Sequence, residues 1–461
     1  MLGATLSADA YLAHGISEEI TSRLGEFADL HVAARSAVER LERGQSSDLL
    51  RGARERGLGY VVEGTVRRAG DRIRVAVSLT DVAEGMRRWQ RSYDRAVTDL
   101  FALQDTIAVD VAQAVAGHLT RGDAVRSRSA PTPAAHDQLL RGNYYLAQRN
   151  PRGLTQAVKS YAEATRLDPN FALGFAKLAL AHLLFLDWGW TYDELTPQGL
   201  FARGWQAAER AVQLDSTLAD AWLARGSLLA FGNPRTLTGV RQALARAVQL
   251  DPRNAEAHHE FAMGLRLLDD DQAAAAQLKQ ALAIEPDRPM TLVHLAWIDM
   301  NARRYDDARR WLDSAAAVNP GFYQAYAERG AVRLVQGDTA GARDDAQTAV
   351  RLRPASEPFA AEAVLTALTL RAGDSAAARA RVDRLRAHAP VPSDLGVHHA
   401  AAWAAILLAA GDAQGAIAFL ETTRVAPTHL RLHLKEPRFD ALRSNPRFQQ
   451  LMQKLRVAEE G

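Results

Sequence analysis

Small and large apolar residues recur at helical spacing through most of the chain. In each copy of this pattern, two alanines flank a third residue at spacings of four and then three positions. Residues three and four apart lie on one face of a helix, so the three form a stripe. Alanine in that stripe lets a second helix approach closely, and the middle residue fills the remaining gap. The stripes are Ala157/Tyr161/Ala164, Ala274/Leu278/Ala281, Ala308/Leu312/Ala315 and Ala342/Ala346/Ala349.

The pattern has a fixed period. Prolines that end helical segments recur 34 residues apart, at Pro252, Pro286, Pro320 and Pro354. Glycine is typical of the end of a helix and proline cannot continue one, so each unit is predicted to be two antiparallel helices. Neither helix can bury its stripe alone, and stacked units bury one another in a superhelical array. Gly-Asp turns in the same phase begin at Gly337, Gly373 and Gly411.

This 34-residue unit, with its alanine stripe and terminal proline, resembles the tetratricopeptide (TPR) repeat. First-helix residues such as Trp222 and Gly226 match it as well. About eight such units fit into residues 134–428. The second unit departs from the pattern, because roughly eleven extra residues lie between Asp187 and Pro197. The resemblance implies a mainly α fold, a TPR superhelical solenoid of helix pairs.

Residues 1–120 lack the repeat and contain stretches with the period of a strand. Strands are predicted at 60–67, 72–79 and 88–93, with a hairpin turn around Gly70. An amphipathic helix is expected over 100–119. Earlier elements are a helix with Ser17 as N-cap, a short strand at His31 and a helix opening at Ser47-Asp48. We therefore predict a small α/β domain over residues 1–120, a linker over 121–133, the TPR array over 134–428 and C-terminal capping helices over 429–461.

The α/β segment resembles the TolB-like amino-terminal domain of bacterial signalling proteins. The matching stretches begin at His14 (HGISEEI), Tyr60 (YVVEGTVRRAGDRIRV) and Trp89 (WQRSYD). In that family the domain often precedes TPR units and follows kinase, adenylate cyclase or winged-helix domains. The family also opens with a strand that Met1 to Ser7 is too short to supply, so we expect a truncated gene product. A sheet without that strand exposes unpaired edges, and residues 1–120 are expected to be less stable than the array.

Charge and composition narrow the function classes. The chain has 56 Lys and Arg against 54 Asp and Glu, a net charge of +2, which argues against a nucleic-acid binder. Cysteine is absent, which excludes disulfides, thiolate metal sites and thiol nucleophiles. No apolar stretch is long enough to span a membrane and no signal peptide is recognisable. As written, the chain is expected in the cytoplasm, or outside it if an upstream membrane segment is missing.

Motifs that carry chemistry are incomplete. Gly52 to Gly57 has the glycine spacing of a phosphate loop, but Leu58-Gly59 replaces the Lys-Ser/Thr pair. His259-Glu260 begins like a zinc-protease helix, but Met263 stands where the second histidine is needed. His429 and His433 have the spacing of a metal pair, yet a solvated or capping pair is the favoured interpretation. We predict no catalytic residues, no metal and no cofactor.

Two surfaces are predicted to bind a partner. The TPR resemblance places first-helix residues along a concave groove, which is largely apolar and lacks the cations of a carboxylate clamp apart from Arg266. The groove residues are Phe231, His259, Met263, Arg266, Met290, Val293, Trp297 and Met300. They either form an exposed stripe suited to a helix or peptide or pack between neighbouring helices. Trp188, Trp190 and Tyr192 in the insertion form either an internal plug or a contact site.

These features predict a non-enzymatic interaction module or scaffold of bacterial signalling that binds a protein or peptide. The alternative is the C-terminal regulatory or sensor part of a Ser/Thr kinase, an adenylate cyclase or a transcription regulator. The two differ in whether an effector domain is encoded upstream of Met1.

Overall fold

A computed structural model describes residues 10–25, 27, 30, 32–33, 49–116, 131–148, 150–188, 190, 192, 195–231, 237–352, 360–388, 397–423, 425 and 427–460. These residues are mostly helical. They fall into two compact units, residues 1–182 with 203–221 and residues 183–202 with 222–461. The predicted strand at His31, the helix start at Ser47-Asp48, the expected gap at Met1 to Ser7 and most of the linker lie outside the described residues.

The first unit begins with the predicted α/β segment. Its three strands form an antiparallel sheet in the order β1-β2-β3. Gly70 has a φ of 62°, so the turn between β1 and β2 uses the left-handed conformation that glycine adopts readily. The elements are α1 (Ala10–Gly25), α2 (Leu49–Glu55), β1 (Tyr60–Ala69), β2 (Arg72–Asp81), β3 (Arg87–Ala96), a 3-10 turn (Val97–Asp99) and α3 (Leu100–Ala116).

One face of the sheet packs against α1 and α3. Alternate β2 residues Ile73, Val75 and Val77 are buried in a cluster with Ile16 and Ile107. The prediction of Ser17 as an N-cap is wrong, because α1 already begins at Ala10. Ser17 lies inside the helix, where its carbonyl accepts a hydrogen bond from the Thr21 hydroxyl. The helix extends upstream because Tyr11 and Leu12 are buried in the same cluster.

Helix pairs follow the sheet. Thr132 caps the first helix and Asn150 the second, each ahead of a proline in the first turn. Helices α6, α7 and α8 contribute residues to both units. The helices up to Phe231 are α4 (Pro133–Leu146), α5 (Pro151–Leu167), α6 (Ala172–Trp188), α7 (Pro197–Leu214) and α8 (Ala219–Phe231).

The second unit continues the pairs and ends in shorter elements. Its helices are α9 (Leu237–Leu250), α10 (Ala255–Leu267), α11 (Asp271–Ile284), α12 (Pro289–Asn301), α13 (Tyr305–Val318), α14 (Tyr323–Gln336), α15 (Thr339–Leu352), α16 (Ala360–Arg371), α17 (Ser375–His388), α18 (Val397–Ala409) and α19 (Ala413–Thr422). After these come α20 (Pro427–Leu434), a 3-10 helix (Pro437–Leu442) and α21 (Pro446–Glu460).

The alanine stripes lie where the period predicts. Ala308, Leu312 and Ala315 are fully buried on α13, and the other three stripes are buried in the same way. The second helices end two residues before the periodic prolines, at Leu250, Ile284, Val318 and Leu352. The predicted mainly α solenoid of helix pairs, preceded by a small sheet region, is therefore confirmed.

The turn between the two helices of a unit has a feature that the period did not predict. Gly337, Gly373 and Gly411 have φ values of 85°, 86° and 85°. Asp269 and Arg303 occupy the same phase, 68 and 34 residues before Gly337, with φ values of 61° and 62°. Non-glycine residues rarely adopt this conformation, least of all one as large as arginine. Both side chains make contacts that are described below.

Candidate functional site

The predicted groove residues lie on the first helices of successive pairs in the second unit. Phe231 ends α8, while α10 and α12 carry the other seven. Val293 is fully buried and Met300 is 3% exposed, and both pack in a cluster with Leu312 of α13. For these two residues the structure has packing between helices rather than an exposed stripe. We call the α8, α10, α12 and α14 surface formed around Phe231, His259, Arg266, Trp297 and Glu328 the inner wall.

The inner wall is covered by the chain itself. Residues 427–442, which comprise α20 and the 3-10 helix after it, are called here the C-terminal segment. The His429 ring lies 4.6 Å from the Phe231 ring, centroid to centroid. The His433 ring meets the Trp297 ring edge-on at 5.7 Å. The predicted groove is therefore occupied by a short helix in this structure.

A row of rings crosses the wall toward that helix. The His294 ring lies 4.8 Å from both the His259 ring and the Trp297 ring. The Arg266 guanidinium lies 5.7 Å from the Trp297 ring centre, a cation–π distance. Burial lowers the pKa of His259 to about 4, so its ring is neutral at pH 7 and shares a 2.8 Å hydrogen bond with the Thr291 hydroxyl. The row is an aromatic surface with one cation beside it.

Ion pairs attach the C-terminal segment to the turns and helices of the wall. Asp269 accepts a 2.9 Å hydrogen bond from Arg431 and another from Lys435. Arg303 donates to Asp440 at 2.6 Å. The two residues with left-handed backbone in this region thus each bind the C-terminal segment.

A buried charge cluster lies under the 3-10 helix. Arg438 donates to Glu328 of α14 at 2.8 Å and lies 2.5 Å from Glu436. His433 Nδ1 is 2.8 Å from the other Glu436 oxygen. Burial alone raises the pKa of Glu436, but Arg438, His433 and Arg266 outweigh it and lower that pKa to about 2. Glu436 is therefore ionised at neutral pH and fully paired.

Three carboxyl groups of the same unit have the opposite shift, and Glu328 is one of them, because burial raises its pKa. Burial, together with the nearby carboxylates Glu256 and Asp187, raises the pKa of Glu260 to about 8. Burial raises the pKa of Asp187 to about 6. Ser227 donates a 3.1 Å hydrogen bond to Glu260. The protonated form of Glu260 is favoured at pH 7, so the wall carries less negative charge than its sequence suggests.

For His429 and His433 the sequence favours a solvated or capping pair, and the solvated alternative is wrong at His433. His433 is 8% exposed and its ring contacts Trp297, whereas His429 is half-buried against Phe231. Burial, aided by the nearby His433, lowers the pKa of His429 to about 4. The i,i+4 spacing places both rings on one face of α20, and that face is turned to the wall.

Sequence reasoning missed His294, Asp269, Arg303 and Glu328. The 34-residue phase contained the signal for two of them, since Asp269 and Arg303 stand where a later unit has Gly337. A second signal was the sequence of α12, which is apolar on nearly all sides. A helix of that kind is buried on all sides, which points to a cover over the inner wall.

The insertion is packed internally at Tyr192. This residue is 7% exposed, and its ring lies 5.1 Å from the ring of Phe185 on α6. The Trp190 amide donates a 3.0 Å hydrogen bond to the Phe185 carbonyl. For Tyr192 these contacts favour the plug over the contact site. The Trp188 side chain lies outside the described residues.

The remaining motifs do not come together as sites. Gly57 follows α2 with a φ of 67°, as expected for a helix end before a strand. Among the described residues no three His, Asp or Glu side chains are grouped as metal ligands. The described helices include none with the length and hydropathy of a membrane span.

Residues 269–328 match the family model of the tetratricopeptide repeat. The chain is 35% identical over 191 residues to a protein of Rhizobium meliloti (strain 1021) named "Putative adenylate cyclase 3". The match covers 40% of this chain, and the chain spans about a third of the length of that curated relative, 32%.

Two solved structures share parts of the fold. A thermophilic TPR protein of Thermus thermophilus is 20% identical, with 44% of this chain and 100% of that chain covered and a TM-score of 0.37. Yeast Tom70 is 16% identical, with 74% of this chain and 66% of that chain covered and a TM-score of 0.43. At these TM-scores, neither likeness adds to what the helix pairs themselves show.

Proposed function

We propose that the chain is a non-enzymatic interaction module of bacterial signalling whose inner wall recognises a short helix of a protein partner. The observation that supports this is the seating of α20 on the wall, with His433 against Trp297 and His429 against Phe231. A surface that already holds one helix has the shape and chemistry for helix recognition. TPR arrays in general suit protein–protein interaction, and the TolB-like resemblance of the first domain fits a signalling context.

A peptide-library selection tests this function. The full chain is screened against random 16-residue peptides, and we expect the enriched binders to lose about tenfold in affinity on Trp297→Ala, because the ring row loses its centre. Trp311→Ala is the matched control, since Trp311 lies on α13, where its indole donates to Asp299 away from the wall. Binders that are equally sensitive to both substitutions, or to neither, contradict a function of the inner wall.

A regulatory role in an adenylate cyclase is the second candidate, supported by the match to the Rhizobium protein. The test adds the purified chain to that protein after deletion of its matched region, and measures cyclic AMP formation. We expect the chain to change the rate about twofold or more while forming no cyclic AMP by itself. An unchanged rate over a range of chain concentrations contradicts this role.

A further inference from the structure

The C-terminal segment fits the inner wall by charge as well as by shape. Its two histidines form one stripe of α20, and Arg431 is followed four positions later by Lys435, just after the end of that helix. The histidines meet Phe231 and Trp297, while the two bases share Asp269. A second stripe, Leu430 and Leu434, packs in a separate cluster with α18 and α19.

Some polar atoms where the C-terminal segment meets the inner wall lack hydrogen-bond partners. Within the described residues, Arg266 Nε and His429 Nδ1 are shielded from solvent and have no hydrogen-bond partner. The side-chain amide nitrogen and oxygen of Asn301, one turn after Trp297 on α12, are also shielded from solvent and have no hydrogen-bond partner. A buried polar group that lacks a hydrogen-bond partner destabilises the state in which it is buried. The covered state is therefore less favourable than its contact area suggests.

The turn residues show that the wall is specialised for a charged occupant. Asp269 and Arg303 keep a backbone conformation that glycine adopts at lower cost in the later units, and each pairs with the C-terminal segment. Non-glycine residues in rare backbone regions persist where the side chain has a role. Here the contact that accompanies each of the two residues is an ion pair with the C-terminal segment.

We infer that the C-terminal segment is a displaceable internal ligand, and that the inner wall takes in its place a partner's short cationic helix with the same pattern of two rings and two bases, each pair four positions apart. This rests on the proposed function and names the partner's chemistry. The evidence is the segment seated on the wall and the complementary carboxylates, Asp269 at one end and Glu328 at the other.

The first experiment loosens the segment without stranding a buried charge. In the full chain, Arg431→Ala is combined with Lys435→Ala, which frees Asp269, a side chain that is 48% exposed. The probe is a fluorescein-labelled peptide with the sequence of residues 427–442, measured by fluorescence anisotropy. We expect the loosened chain to bind it about tenfold more tightly than the unaltered chain, because the competing internal ligand is weakened.

The controls assign the binding to the wall. Arg447→Ala also removes an ion pair of the C-terminal region, with Glu421 on α19, and should leave the affinity unchanged. Adding Asp269→Ala to the loosened chain should lower the affinity about tenfold again. The inference is overturned if the unaltered and loosened chains bind the peptide with equal affinity, or if Asp269→Ala leaves the affinity of the loosened chain unchanged.

A second experiment does not depend on how the charge variant folds. Because the chain has no cysteine, Arg303→Cys with Asp440→Cys introduces a single pair that a short bis-maleimide can bridge. We expect the bridged chain to bind the peptide about tenfold more weakly than the same variant capped with N-ethylmaleimide. Equal binding by both forms means that the segment does not block the site and overturns the inference.

Two outcomes separate this inference from the proposed function. If the loosened chain dimerises in sedimentation and no longer binds the peptide, the occupant is a second copy of this chain, and a separate partner is overturned. If the library selection returns Trp297-dependent binders that lack paired bases, the proposal of helix recognition by the wall is retained. The proposal of a cationic partner is then overturned. Loss of all Trp297-dependent binding contradicts the proposed function itself.

Discussion

Individual residues of the inner wall, its turns and the C-terminal segment carry protonation states and backbone conformations that their type does not suggest. Glu260 holds its proton at pH 7 because it is buried near two other carboxyl groups. Glu436 is ionised although it is buried, because Arg438, His433 and Arg266 lower its pKa. Arg303 adopts a left-handed φ that arginine disfavours. Of these three residues, Glu436 lies in the C-terminal segment and Arg303 pairs with it.

Glu260→Gln is predicted to change the pH dependence of stability. In the unfolded chain a glutamate ionises near pH 4.5, whereas folded Glu260 keeps its proton up to about pH 8. The folded state therefore binds more protons between these values, and its stability falls as pH rises through them. The variant lacks this loss, so its melting temperature relative to the unaltered chain should rise from pH 5 to pH 8 and then level off.

The control for this titration is Asp344→Asn, a substitution at an exposed position of α15 in the same unit. Its melting temperature should follow the unaltered chain at every pH. A Glu260→Gln difference that is constant from pH 5 to pH 9 would show that the carboxyl group is ionised throughout.

Arg303→Gly is predicted to stabilise the chain slightly. Glycine removes a left-handed backbone cost of roughly 1–2 kcal/mol. The substitution also loses the pair with Asp440, which is worth about 0.2–1 kcal/mol because both side chains are partly exposed. Urea unfolding should show a net gain between about 0 and 1.8 kcal/mol.

The matched substitution is Gly337→Ala, which introduces a side chain at a φ of 85° and should cost about 1 kcal/mol. If Arg303→Gly destabilises the chain as much as Gly337→Ala does, the contact with Asp440 outweighs the backbone strain.

At the scale of the elements, the alanine stripes determine how closely the helices of a pair approach. Ala308 and Ala315 are fully buried on either side of Leu312 on α13. The spacing of the alanines predicts the helix pairs, because each stripe must be covered by a second helix that approaches equally closely. The first helices were less predictable. Some of their apolar residues, such as Val293, pack within the helix pairs. Others lie on the inner wall, which the C-terminal segment covers.

Ala308→Leu is predicted to destabilise the second unit by about 1–3 kcal/mol, because the larger side chain overpacks the stripe. Ala317→Leu, on the exposed face of the same helix, should change stability by less than about 0.5 kcal/mol. Urea unfolding compares the two. Similar losses for both would mean that α13 does not pack through its alanines.

At the scale of the whole molecule, two kinds of architecture share one chain. The sheet has three strands in the described residues, with β1 at one edge and mostly exposed side chains. The helix pairs of the second unit bury stripe after stripe. Edge strands with few buried side chains open locally more easily than packed helices.

Hydrogen exchange is therefore predicted to be faster in the sheet than in the array. Amides of β1 should exchange about tenfold or more faster than those of α12 at pH 7, where α12 is covered on nearly all sides. Mass spectrometry of peptic fragments measures both in one sample. Equal protection in β1 and α12 would show that the two units have the same stability.

The sequence alone determined the repeat, because its 34-residue period, alanine stripes and prolines are local signals with a single packing solution. It also determined the three strands, whose alternation and turn need no distant contact. Only the tertiary structure decided what fills the inner wall. Asp269 and Arg431 are in contact although they are 162 positions apart, and the local sequence around one residue does not indicate a contact with the other. The protonation of Glu260 and the burial of His433 follow from that same assembly, since burial is a property of the neighbours and not of the residue.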